Sequence, residues 1–200
     1  MSNGYDLKDI TEHYSKKSDS DIIYLATQNA AGLRPGVLEI IENEIKKRNL
    51  DPNILEGAKA QNKEYSLEEI TKLSQKLRGL PCPECGSKTA KLNGTIMHTV
   101  KSFIFFSSFR KDPIIACPDC LDKKNQESII STALLGWWGI PWGILKTPIY
   151  IYNNVKQKTE NRVTESNPTL LGFTLQNVGQ IETYKDDTEK LKQIIKYVKK

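Results

Sequence analysis

Several features that usually identify a protein's chemistry are scarce or missing here. The 200 residues include only two histidines, His13 and His98, and these lie far apart in sequence. Neither sits in an HExxH pair, a nucleophile elbow or another catalytic arrangement, and there is no Walker loop and no GxGxxG. The carboxylates fall mainly on helix surfaces, at spacings explained by capping and solvation, so a general acid/base pair has no support. The expectation is therefore a protein that is not an enzyme and has no evident small-molecule substrate. Charge of one sign is also scarce. The net charge of +5 is spread as regional balances of −1, +2, +2 and +2 over residues 1–80, 81–128, 129–165 and 166–200. No block is basic enough to track a phosphate backbone. The start, MSNGYDLKDITEHYSKK, has no apolar h-region and no small-residue cleavage site, so a reducing cytosol is the expected compartment.

Cysteine is rare too, but all four copies are organised. PCPECG (Pro81 to Gly86) and ACPDC (Ala116 to Cys120) present two Cys-x-x-Cys pairs. Each short loop lets two thiolates reach one ion, so Cys82, Cys85, Cys117 and Cys120 read as ligands of a tetrahedral zinc site rather than as two disulfides. Four thiolates fill the coordination shell, which makes the expected Zn2+ structural. Between the pairs, Asn93-Gly94 gives a hairpin signal, Ser102 to Phe109 a β-prone run, and Arg110 to Pro113 a second turn. A zinc ribbon with an extended antiparallel hairpin is expected.

Around this centre the chain reads as helical. Residues 5–50 carry a capping-box spacing at Ser18 and Asp21, a proline suited to a first helical turn at Pro35, and apolar recurrence at Leu38, Ile41 and Ile45. Asp51-Pro52 reads as a stop, and Gly57 to Glu64 as a linker. Ser66 with Glu69 then caps a helix striped by Leu67, Ile70, Leu73 and Leu77, which ends at Gly79. In the tail, a helix from Asn167-Pro168 to Gly179 and a second one through Leu191, Ile194, Ile195 and Val198 read as a helical hairpin. The expected fold is thus mainly α with a small antiparallel β zinc ribbon. Its parts are an N-terminal helical module (1–56), a linker (57–65), a helix plus ribbon (66–128), a hydrophobic segment (129–152) and the C-terminal hairpin (153–200).

The hydrophobic segment, IISTALLGWWGIPWGILKTPIYIY, contains one charged residue, Lys146. A continuous helix of that length would reach about 36 Å, enough to cross a bilayer. Gly136, Gly139, Pro141 and Gly143 interrupt its middle, however, and Trp137, Trp138 and Trp142 sit where a spanning helix would be deepest, although Trp prefers the membrane interface. Three readings compete: an interfacial or re-entrant hairpin, a single span, and a buried segment. The first is preferred, with the three tryptophans contacting a membrane or a partner at the cytoplasmic face; Phe103, Phe105, Phe106 and Phe109 would extend that surface, although aromatic residues in a short strand more often pack a core. A protein partner is also expected. The soluble alternative is a zinc ribbon binding nucleic acid or protein with 129–152 buried, using Lys88, Lys91, Lys101, Arg110 and Lys111 with Phe103 and Phe106. Its basic excess is too small to favour nucleic acid.

Cys82, Pro83, Cys85, Gly86, Cys117, Pro118, Cys120, Gly136 to Gly143 and Thr147-Pro148 together resemble a group of bacterial zinc-ribbon proteins of uncharacterised role. In these, CPxCG and CPxC pairs precede a GWWGIPWG-type hydrophobic segment ending near a Thr-Pro. The stretch DIIYLATQNAAGLRPGVLEIIENEIKKRNL resembles a short helical module found in bacterial proteins of several architectures. The resemblance implies zinc binding and suggests membrane association, and it brings no activity or partner with it.

Overall fold

The computed structural model describes residues 7–104 and 106–196. Among these the chain is mainly helical, with one two-stranded antiparallel sheet, as expected. The elements are α1 (Leu7–Ser15), α2 (Asp19–Gln28), α3 (Pro35–Lys47), α4 (Asn53–Ala60), α5 (Leu67–Arg78), β1 (Asn93–Phe103), β2 (Phe106–Ala116), α6 (Pro118–Leu135), α7 (Trp142–Glu160), α8 (Pro168–Gln176), α9 (Val178–Thr183) and α10 (Thr188–Lys196). They form two compact units. One contains residues up to Ser66 with Leu175–Thr188, the other Leu67–Thr174 with the residues from Glu189 onward.

In the first unit Ser18 caps α2 as its spacing predicts: its hydroxyl accepts from the Asp21 amide, and the Asp21 carboxylate accepts from the Ser18 amide, both at 3.2 Å. Pro35 opens α3, where its missing N–H costs nothing. The core gathers Ile22, Ala26, Ile41, Ile45, Ile54 and Ala58. Arg48 ties the turn between α1 and α2 to α3: its guanidinium donates to the carbonyls of Tyr14, Ser15 and Lys17 and pairs with Glu44 and Asp19.

Two expectations fail here. Residues 57–65 are not a free linker, because Gly57–Ala60 complete α4 and the amides beyond it close the end of α2. Gln61 accepts from the Ala30 amide at 2.9 Å and donates to the Ala26 carbonyl at 2.7 Å, while Asn62 donates to the Ala30 carbonyl at 2.8 Å. The tail is not one hairpin either. Gly179 lies inside α9, where α4 and α9 cross so closely that a Cβ on Gly57 would fall 2.6 Å from the Gly179 carbonyl oxygen. The residue read as a helix terminator is a contact point, and α9 and α10 belong to different units.

In the second unit α5 ends at Arg78, before Gly79 and Pro81, with Ile70 and Leu77 buried and Leu67 exposed. The hairpin is extended, its register running from Asn93↔Ala116 to Phe103↔Phe106. Both turns read from the sequence are instead strand. Asn93 and Gly94 start β1 and are buried, and Arg110 to Pro113 lie within β2. Pro113 is tolerated because β2 is an edge strand that need not donate there. The reversal falls after Phe103, with Ile104 at φ 40°.

The outer edge of β1 explains how α6, α7 and the chain before α8 pack. In an antiparallel pair alternate residues turn their N–H and C=O away from the partner strand. On β1 those groups belong to Gly94, His98 and Val100, and side chains take the place of a third strand. Asn167 bonds both main-chain groups of Gly94. Asn154 accepts from the His98 amide at 2.9 Å and donates to its carbonyl at 2.6 Å. Thr132 accepts from the Val100 amide at 3.1 Å. Behind them Asn125 bonds Thr95 and Asn161. The faces that α6 and α7 turn inward are consequently mostly polar or small: Asn125, Ser128 and Thr132 beside Leu121 on α6, Gly143, Thr147 and Asn154 beside Tyr150 on α7.

Candidate functional site

The four cysteines are brought together from two local structures. Cys82 and Cys85 lie on a tight knuckle closed by the Gly86 amide on the Cys82 carbonyl and the Cys82 amide on the Ser87 carbonyl, each at 2.8 Å. Gly86, at φ +75°, supplies the left-handed turn this requires. Cys117 occupies the N-cap position of α6 without a side-chain cap bond, and Cys120 follows in its first turn. All four sulfurs lie within 4.8 Å of one another, with Cys85 and Cys117 3.7 Å apart. A tetrahedral ion with metal–sulfur bonds of about 2.3 Å places its sulfurs about 3.8 Å apart, so the donor set fits a metal ion. Burial disfavours the Cys82 thiolate, but amides of Cys117, Cys85 and Glu84 outweigh it and bring this thiol down to about 7. Burial pushes the thiols of Cys117 and Cys120 up, and at Cys120 the neighbouring sulfurs act in the same sense. Without an ion the cluster therefore resists full deprotonation, the electrostatic situation a bound cation reverses.

The same helix that begins at the cysteines carries the hydrophobic segment. α6 runs unbroken through residue 128 to Leu135, so the expected boundary between ribbon and hydrophobic segment does not exist. The chain reverses over Gly136–Pro141 and returns as α7. No continuous 24-residue helix forms, and among the described residues no helix is long and apolar enough to cross a membrane. The buried reading fails as well. Trp137, Trp138, Ile140, Trp142, Ile144 and Leu145 are exposed, Trp138 by 67% and Ile140 by 77%, as are Leu134 and Leu135 at the end of α6. The reason is the inward polarity: α6 and α7 spend their polar faces on the edge of β1, which leaves the apolar faces outside.

The end of the β-hairpin lies against this reversal. A Cβ on Gly139 would sit 2.9 Å from Ser102 Cβ, and one on Gly143 2.8 Å from Ser102 Oγ, so bare backbone is what lets the two tips touch. Ser102 and Ser107 bond each other at 2.9 Å beneath the contact. Phe103, Ile104 and Phe106 are exposed beside it, the two phenylalanines by more than 70%, while Phe105 lies outside the described residues. The two tips thus form one apolar end. Its main chain is well satisfied: the indole N–H of Trp137 donates to the Ala133 carbonyl at 2.9 Å, and that of Trp138 to the Leu134 carbonyl at 3.0 Å. These are carbonyls that a helix C-terminus leaves without partners.

Of the cationic and aromatic residues that sequence suggested for nucleic acid, Lys101, Arg110, Phe103 and Phe106 line one cleft of about 520 Å³, but Lys88 and Lys91 precede β1 at the opposite end of the hairpin. Single-strand binding would need them in one stripe. His98 is buried, edge-on to Tyr150, and its imidazole is held below the usual histidine range by burial and by Lys111. The sequence does not show the edge-pairing roles of Asn154 and Thr132, and it marks Asn167 only as the start of a helix. The available signal was a small or polar residue recurring at helical spacing inside an apolar run. Neither a protein-family model, nor a curated protein, nor a solved structure matches the chain.

Proposed function

We propose that the protein is a non-enzymatic zinc-binding module that associates with the cytoplasmic face of a membrane through its apolar end. The observation that carries this reading is the inverted polarity of α6 and α7, polar towards the protein and apolar towards solvent. An apolar patch of this kind on a soluble surface marks an interaction site. Its three tryptophans fit a bilayer interface, where an indole ring is buried with its N–H satisfied, as those of Trp137 and Trp138 already are. A protein partner would also cover apolar surface, but an end carrying tryptophan, phenylalanine and only basic charge matches lipid better. Zinc is the proposed ion because four thiolates in a closed shell suit it, and no open position remains for a reacting water.

Metal analysis of purified protein should find about one equivalent of zinc, lost in the Cys82→Ser, Cys85→Ser double variant. Wild-type folding of that variant would contradict the structural role. Sedimentation with phospholipid vesicles should carry down the metal-loaded protein, and replacing Trp137, Trp138 and Trp142 together by Ser should release it. Equal recovery of both in the supernatant would reject membrane association.

A further inference from the structure

The charges around the apolar end have one sign. No Asp or Glu occurs between Glu84 and Asp112, a stretch that contains β1, the hairpin reversal and the first half of β2. None occurs between Glu127 and Glu160, which covers the rest of the helical hairpin. The acidic groups of α6 lie at its other end, where Asp119 and Asp122 pair with Arg162. Lys101, Arg110 and Lys146 are exposed, and none pairs with a carboxylate among the described residues.

The positions of these cations follow a level. Lys101 stands two residues before Phe103, about 7 Å along the strand. Lys146 stands four residues after Trp142, about 6 Å along α7. The contacts of Gly139 and Gly143 with Ser102 and Ser107 hold the two tips in register, so both cations sit at a similar height behind the apolar end. Arg110 lies further back on the face of the sheet shared with Thr99, Lys101 and Ser108, in the cleft between the strands and Leu135. Asp112, also on that cleft, is half-buried and lies on the far side of Arg110 from the tip. An amphipathic segment seated in a membrane interface buries its apolar part by roughly 5–10 Å. At that depth Lys101 and Lys146 reach the lipid phosphates, with Arg110 behind them.

We propose that Lys101, Arg110 and Lys146 form a cationic collar that seats the apolar end on an anionic phospholipid surface. This rests on the membrane reading and adds the lipid class and the groups that select it. Each cation held close to an anionic surface is expected to strengthen binding about fivefold. The three together should therefore favour anionic over neutral vesicles by roughly 100-fold at low salt.

The test uses the metal-loaded full chain with two vesicle compositions, pure phosphatidylcholine and phosphatidylcholine with 30% phosphatidylglycerol (about a third anionic, enough to set a surface potential). The triple variant Lys101→Gln, Arg110→Gln, Lys146→Gln changes only exposed side chains, and its thermal unfolding reports that it is folded. The expected result is tighter binding to the anionic vesicles, lost with added salt, and a triple variant that binds both compositions as the wild type binds the neutral one. Equal wild-type affinity for both compositions overturns the collar and leaves the membrane reading standing. No sedimentation with either composition overturns both. A salt-resistant dimer in light scattering that stays off vesicles overturns both as well, since a second copy would then cover the apolar end.

Discussion

Asn154 shows how much one buried carboxamide holds in this molecule. It accepts from the His98 N–H and donates to the His98 C=O, satisfying both main-chain groups of one edge residue. Asn154→Ala leaves the His98 N–H unpaired in a buried site and its C=O with only the long 3.4 Å bond from the Thr132 hydroxyl, and should cost about 2–4 kcal/mol in denaturant unfolding of the metal-loaded protein. A loss under about 0.5 kcal/mol would show that water replaces the carboxamide and that the edge is not sealed. His98 adds a pH dependence. Its imidazole sits below the ordinary 6.5 because burial disfavours the cation, and Lys111 acts in the same sense. The unfolded chain therefore binds a proton that the folded one refuses. This contribution is complete above 6.5 and is lost as pH falls from there towards the folded value. His98→Gln should flatten the stability slope between about pH 7 and 5, an interval bracketing the ordinary histidine pKa. An unchanged slope would show that His98 does not contribute to the acid sensitivity.

At the scale of elements, the tip depends on bare backbone where two hairpins meet. Gly143→Ala would put a Cβ 2.5 Å from the Gly136 carbonyl oxygen and 2.8 Å from Ser102 Oγ, so the reversal must shift. Overpacking of this kind typically costs about 1–3 kcal/mol. Thermal unfolding should show that loss, and unchanged stability would mean the reversal is loosely held. Much of the element plan was legible in the sequence, for local reasons: caps at Ser18 and Asp21, a proline at α3, a terminator at Gly79, and two cysteine pairs whose spacing dictates their geometry. What was not legible depended on the tertiary neighbour. Asn93-Gly94 carries the chemistry of a turn but is drawn into β1 by Asn167. Gly179 carries the chemistry of a stop but serves as the crossing point of α9 with α4. The exposed faces of α6 and α7 could not be read from an apolar run, because composition does not say which face packs. Only the edge of β1 decides that.

Across the second unit as a whole, polarity changes along the length of α6. Thiols, Asp119, Asp122 and Arg162 occupy the end near the cysteine cluster, and Trp137, Trp138, Ile140 and Trp142 the other. An 18-residue helix spans about 27 Å. The ion proposed for the cysteines would thus fix the base of the element whose tip is proposed to meet lipid. Chelation should consequently weaken vesicle binding without any ligand at the tip being changed, and binding that survives complete metal removal would separate the two. All three tryptophans of the chain lie within residues 137–142, so intrinsic tryptophan fluorescence reports on the apolar end alone. The most direct measurement is quenching of that fluorescence by vesicles whose lipids carry bromine at a shallow or a deep acyl position. The account predicts a blue shift on vesicle addition and stronger quenching by the shallow bromines, as for rings at the interface. Emission that neither shifts nor is quenched, from a folded and metal-loaded protein, would contradict it.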